Sequence, residues 1–183
     1  MRPVASAQTL SGRAYDRAWL LDAVRAGLDG SPRAMLVHGE AGIGKTTLVR
    51  SVCEEVTREG AQVLWGQSLR FGAVEAMYHP LVLALEGWLG EADDAGRASF
   101  IDDVPGAALI LPSLGASPTE GHSMLMMVVD ALLGRVIARG PTVLVVDDVQ
   151  WADPATWDAL SYLVAGFARQ RLSLLTTHRD EGP

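Results

Sequence analysis

HGEAGIGKTT, residues 38–47, is the stretch on which the rest of the chain turns. From Gly39 to Thr46 it matches the spacing G-x-x-x-x-G-K-[ST] in full. That spacing answers a physical demand: a backbone loop must wrap closely around an anion with successive N–H groups pointing inward, and glycines permit the wrap. Lys45 is the one lysine among fifteen basic residues; every other is arginine. The planar guanidinium fork suits flat bidentate partners, whereas a compact ammonium on a slim stem fits inside a ring of N–H groups. The loop therefore reads as a nucleotide phosphate cradle formed by Gly39, Glu40, Ala41, Gly42, Ile43, Gly44, Lys45, Thr46 and Thr47. Lys45 is expected to reach the β- and γ-phosphates, and the Thr46 hydroxyl to serve Mg²⁺.

The flanks fit the loop. AMLVH (34–38) reads as a short buried strand running into it. Leu48, Val49, Val52, Cys53 and Val56 mark one face of a helix that follows and ends near Gly60, giving the loop a helix N-terminus. Upstream, Leu20, Leu21, Val24 and Leu28 predict a helix over 15–28, broken by Gly30, Ser31 and Pro32. Downstream, AQVLWG (61–66) is a second strand. Leu81, Leu85, Trp88 and Leu89 predict a helix beginning at Pro80. Residues 91–121 read as loops around small helices. Leu125, Val128, Val129, Leu132, Leu133, Val136 and Ile137 line a longer amphipathic helix closed by Gly140 and Pro141.

TVLVVDD (142–148) is a continuous apolar run ending in two acids, the pattern of a strand buried on both faces. Asp147 at its end is expected to hold Mg²⁺, and Asp148 to act as general base toward an attacking water. Asp153 then reads as a helix cap before Pro154, with Trp157, Leu160, Val164 and Phe167 as that helix's core face. LSLLTTHR (172–179) is a fourth strand. Strands alternating with helices predict an α/β fold, a three-layer sandwich around a mostly parallel sheet. Residues 1–32 form an N-terminal leading segment and helix, and 33–183 the core.

Composition narrows the function. The net charge is −7 with no basic run, which argues against nucleic-acid contact by this segment. The single Cys53 excludes a disulfide framework and a cysteine zinc site, and the histidines at 38, 79, 122 and 178 lack metal-ligand spacing. No secretory leader is visible at the N-terminus, and the densest apolar run, MLMMVVDALL, is broken by Asp130. The plain expectation is a cytoplasmic protein without membrane contact. Guanine-reading small GTPases use an Asn/Thr-Lys-x-Asp element. That element needs a second lysine, so adenine is favoured.

The segment DDVQWADPATWDALSYL (147–163) resembles the D-D-x-[HQ]-W-A-D stretch of bacterial signalling ATPases of the STAND and AAA-like P-loop (ASCE) type. That group includes the large ATP-binding LuxR-type transcriptional regulators. LSGRAYDRAWL (10–20) is similar to their opening G-R-E segment, MYHPLVLAL (77–85) to their Y-x-P-L segment, and LLTTHRDE (174–181) to their sensor strand. The resemblance implies that Arg13 lies at the base or ribose of ATP or ADP and that Arg179 senses the γ-phosphate. Ala14 departs from the family's glutamate. The resemblance also implies a fifth strand and a helical lid beyond residue 183, with other domains or subunits covering the sheet edge beside the phosphate-loop strand.

Several residues carry two readings. Trp151 packs against the sheet or reports on nucleotide, with packing favoured. Arg179 pairs with an acid or meets phosphate. Met124, Met126 and Met127 are expected to fill core, and Phe71 and Tyr78 flank a groove or simply pack. The function expected is a nucleotide switch with slow ATP hydrolysis. The rival is a nucleotide-gated interaction module without turnover. A small-molecule kinase ranks last, since residues 91–121 offer only Arg97 for a substrate lid.

Overall fold

A computed structural model describes residues 13–69, 77–91, 97–98, 100, 104, 106–111, 122–166 and 171–180, with the side chains of 122–124 excepted. The elements are α1 (Ala14–Leu28), β1 (Arg33–Gly39), α2 (Lys45–Arg58), β2 (Gln62–Gln67), α3 (His79–Gly90), α4 (His122–Arg139), β3 (Thr142–Asp147), α5 (Pro154–Ala165) and β4 (Leu172–Arg179). One-turn 3₁₀ helices at Ala107–Leu109 and Val149–Trp151 join them.

The four strands form one sheet in the order β1-β4-β3-β2, and every pairing is parallel. Register sets Gly39 opposite Arg179 and Gln67 opposite Asp147, so the strands' C-terminal ends share one rim. Side chains alternate between the two faces, as a period of two requires. Val143, Val145 and Leu175 join α1 and α2 in one core, which also buries Val24, Val49, Val52 and Val56. Leu144, Val146, Leu172 and Leu174 join α3, α4 and α5 in the other. The result is the three-layer α/β sandwich, with β3 buried along its whole length.

Glycine is required where backbones touch. A Cβ on Gly66 would lie 1.9 Å from the Pro80 carbonyl oxygen, so β2 and the start of α3 meet there only without a side chain. Tyr78 precedes α3 with φ +60°, and its N–H donates to Asp153 Oδ1 at 3.1 Å. Asp153 also caps α5, accepting from Thr156 N at 2.9 Å, as the Asp-Pro pair predicts.

Three expectations need correction. The core face of α5 is Ala155, Thr156, Ala159, Leu160 and Leu163, not the stripe through Trp157 and Val164, which are 45% and 43% exposed. That face joins the core shared with α3 and α4, and Trp157 lines a groove of about 430 Å³ beside β1. The strand β1 is not buried: only Met35 is, because β1 is the sheet's edge among the described residues. Met127 is 72% exposed, while Met126 packs on the core. Of the two readings for Tyr78, packing holds: it is 1% exposed within the core. Burial pushes the Cys53 thiol up to about 12, so it behaves as an inert core side chain. The readings of Phe71, Phe167, Met124 and most of 91–121 fall outside the described residues.

Candidate functional site

The loop between β1 and α2 occupies the rim where the strands end. Gly42 has φ +76° with open space around its Cβ position, so backbone conformation rather than room demands glycine there. Gly44, at φ +90°, is the residue before α2 and lies under the Arg13 guanidinium, 3.4 Å from where its Cβ would be. Lys45 is only 7% exposed. A buried ammonium must be paired or hydrogen-bonded, and Nζ donates to the carbonyls of Gly39 at 2.8 Å and Glu40 at 2.9 Å. The ammonium thus closes the loop on itself. The Gly39 carbonyl also accepts from Asp180 N at 3.1 Å, which fastens the end of β4 to the loop. Glu40, Ala41, Ile43 and Thr47 are exposed along the outer side.

Beneath the loop, the end of β3 brings in the acids. Asp147 is 3% exposed, and both its oxygens lie 3.1 Å from Thr46 Oγ1. Its Oδ1 also accepts from Thr177 Oγ1 at 2.5 Å. Asp148 holds φ +54° and ψ +49°, a left-handed conformation that costs a non-glycine residue roughly 1–3 kcal/mol and recurs at functional sites. That turn sends its carboxylate to the rim. There Oδ1 accepts from Gln150 Nε2 at 3.2 Å, and Oδ2 lies 3.8 Å from an Arg179 guanidinium nitrogen. Gln150 Oε1 accepts in turn from Arg179 N at 3.1 Å.

A cavity of about 590 Å³ opens on the other side of the loop. Its wall includes Arg13, Tyr15 and Trp19 from the α1 side, Leu36 and His38 of β1, and Ile43 and Lys45 of the loop. Tyr15 is 81% and Trp19 59% exposed, an unusual placement for two aromatics.

The sequence-predicted residues thus fall into three linked groups. Arg13, Ile43 and Lys45 share the cavity; Thr46 meets Asp147; Asp148 meets Arg179. Arg97, the lone candidate for a substrate lid, instead donates to the Leu89 carbonyl at 3.2 Å at the end of α3. Four participants were missed. Thr177 and Gln150 contact the acids across strands or turns, which no spacing rule encodes. Tyr15 and Trp19 did carry a signal: an i,i+4 aromatic pair standing off the apolar stripe of α1.

Residues 9–176 match the family model described as an AAA ATPase domain. The chain is 30% identical over 176 residues to an uncharacterized protein of Rhizobium meliloti (strain 1021), an alignment covering 83% of this chain and 17% of that protein. It is 42% identical over 55 residues to the serine/threonine-protein kinase PknK of Mycobacterium tuberculosis (strain ATCC 25618 / H37Rv), covering 30% of this chain and 5% of the kinase. The chain therefore spans only a small part of the length of these curated relatives. Among solved structures, Cdc6p from Pyrobaculum aerophilum superposes with a TM-score of 0.55 at 15% identity, over 98% of this chain and 42% of that one. That likeness is one of fold.

Proposed function

The chain belongs to the AAA ATPase domain family, and on that premise we propose that it binds Mg²⁺–ATP, hydrolyses it slowly and serves as a nucleotide-dependent switch in a bacterial signalling or transcriptional regulator of the STAND or LuxR type. The observation that carries this reading is the meeting of Thr46 and Asp147 at 3.1 Å across 101 residues of chain, directly beneath a loop closed by a buried Lys45. Hydroxyl and carboxylate oxygens are the hard donors that Mg²⁺ takes, so Thr46 and Asp147 fit it. Bound there, Mg²⁺ would offset negative charge on the β- and γ-phosphates. Residues 33–183 are the ATPase core in this reading, and residues 1–32 the leading segment that brings Arg13, Tyr15 and Trp19 to the base.

Gly39 to Thr47 would hold the phosphates through backbone N–H groups, and Lys45 would exchange its two loop carbonyls for phosphate oxygens. Asp148 would accept a proton from water as that water's oxygen bonds to the γ-phosphorus and the bridging oxygen leaves with ADP. Arg179 would turn from Asp148 to the γ-phosphate, which frees the base as substrate arrives. The work is placement and charge neutralisation. The match to the AAA ATPase domain family favours adenine as the base. Other domains or subunits would cover the β1 edge and carry the switch onward.

One observation favours the rival, a gated interaction module without turnover. Both Asp148 oxygens are already engaged, by Gln150 and by Arg179. Phosphate release from ATP separates the two. Slow turnover that disappears in Asp148→Asn supports hydrolysis; no turnover in the wild-type chain, with ATP still bound, supports the gate.

A further inference from the structure

Thr177 lies fully buried on β4, within the sensor-like stretch 174–181. Its hydroxyl touches both acids at once. Oγ1 is 2.8 Å from the N–H of Asp148 and 2.5 Å from Oδ1 of Asp147. A backbone N–H can only donate, so the Thr177 oxygen accepts there; its single proton is then free to go only to Asp147. The directions of both bonds follow from that inventory alone. The bond to Asp147 sits at the short end of the range for a hydroxyl on a carboxylate.

We propose that Thr177 is a positioning residue for the metal-holding carboxylate, fixing Asp147 through its hydroxyl proton and the left-handed turn at Asp148 through its lone pair. The proposal deepens the nucleotide reading and rests on it. One hydroxyl would then set two acids that do different jobs. Thr46 Oγ1 is 3.1 Å from both oxygens, and Oδ1 alone also accepts from Thr177, so Oδ2 is the oxygen left freer for a cation. The N–H of Asp148 is anchored in the same stroke, so the residue can keep a strained backbone while its carboxylate points to the rim. Thr177 stands two residues before Arg179 on the same face of β4. The strand that carries the phosphate-sensing candidate therefore also carries the group that orients the metal carboxylate.

A purely structural role would satisfy two buried polar groups and nothing more, and it makes a different prediction. The experiment measures ADP binding to the full chain in EDTA and then across a Mg²⁺ titration, for wild type, Thr177→Val and Thr177→Ser. Partners of metal ligands change metal affinity by about 10–100-fold when removed, so Thr177→Val should raise the half-saturating Mg²⁺ by roughly tenfold or more. Binding in EDTA should stay at the wild-type level, and Thr177→Ser, which keeps the hydroxyl, should restore the Mg²⁺ response. A wild-type Mg²⁺ response in Thr177→Val overturns the proposal while leaving the nucleotide reading intact. An equal loss with and without metal, or no rescue by serine, overturns it as well. If Thr177→Val does not fold, Thr177→Ala gives the same comparison with less bulk. Failure of the wild-type chain to bind ADP under either condition would overturn the nucleotide reading, and this proposal with it.

Discussion

Lys45 and Gly27 show how single residues are dictated by their surroundings. Lys45 is only 7% exposed, and its Nζ donates to two loop carbonyls, a pairing that suits a compact ammonium better than arginine's wider fork. Gly27 sits in α1, where helix propensity alone favours alanine by about 1 kcal/mol. Space reverses that preference. A Cβ would fall 2.0 Å from Ser173 Oγ, which itself donates to the Val24 carbonyl at 2.9 Å. Gly27→Ala should therefore lower the unfolding free energy by roughly 1–3 kcal/mol, the range for overpacking. Adding Ser173→Ala removes the obstructing oxygen and should recover most of the loss. Urea denaturation of the two variants checks both; a Gly27→Ala chain as stable as wild type would show that α1 stands further from β4.

The elements are tied together by charge as well as packing. Arg17 of α1 donates to the Glu55 carboxylate of α2 and to Ser51 Oγ at 3.2 Å, and Arg25 reaches Glu55 at 3.1 Å and also Glu59. Arg17 holds the Glu55 carboxyl below its ordinary 4.5, with smaller help from the charge on Arg25. A depressed carboxyl contributes stability that is complete above that ordinary value and is lost as pH falls through the folded value. Acid should therefore loosen α1 from α2, and with it the wall bearing Tyr15 and Trp19. The thermal midpoint of Glu55→Gln should fall less steeply below about pH 4.5 than that of wild type; parallel acid profiles would show the pairing contributes nothing.

This level is also where the sequence was most and least legible. β3 and α4 were plain, because unbroken apolarity and a long 3.6-residue period each admit one reading. The face of α5 reads differently in the fold: Trp157 and Val164 are large and apolar, yet Ala155 and Ala159 lie on the buried face against α3 and α4. Side-chain size was no guide to which face turns inward. β1 looked buried for the same reason, since five residues of sequence do not reveal an edge position. Thr46 and Asp147 were legible through motif spacing, whereas Thr177 and Gln150 act through contacts that only the folded sheet creates.

Across the molecule, parallel pairing accounts for the site. Because all four strands run the same way, Gly39, Asp147 and Arg179 reach one rim from three separate parts of the chain. Ligands in open parallel sheets gather at such carboxyl ends. The opposite consequence is at the flank, where β1 leaves Leu36 56% exposed, lining the same groove as Trp157. Among the described residues no helix is long and apolar enough to cross a membrane. If this rim binds ATP through Lys45, calorimetric titration of Mg²⁺–ATP should give a saturable 1:1 isotherm for wild type and loss of most of the affinity in Lys45→Ala. Binding of equal strength in the two proteins would contradict it.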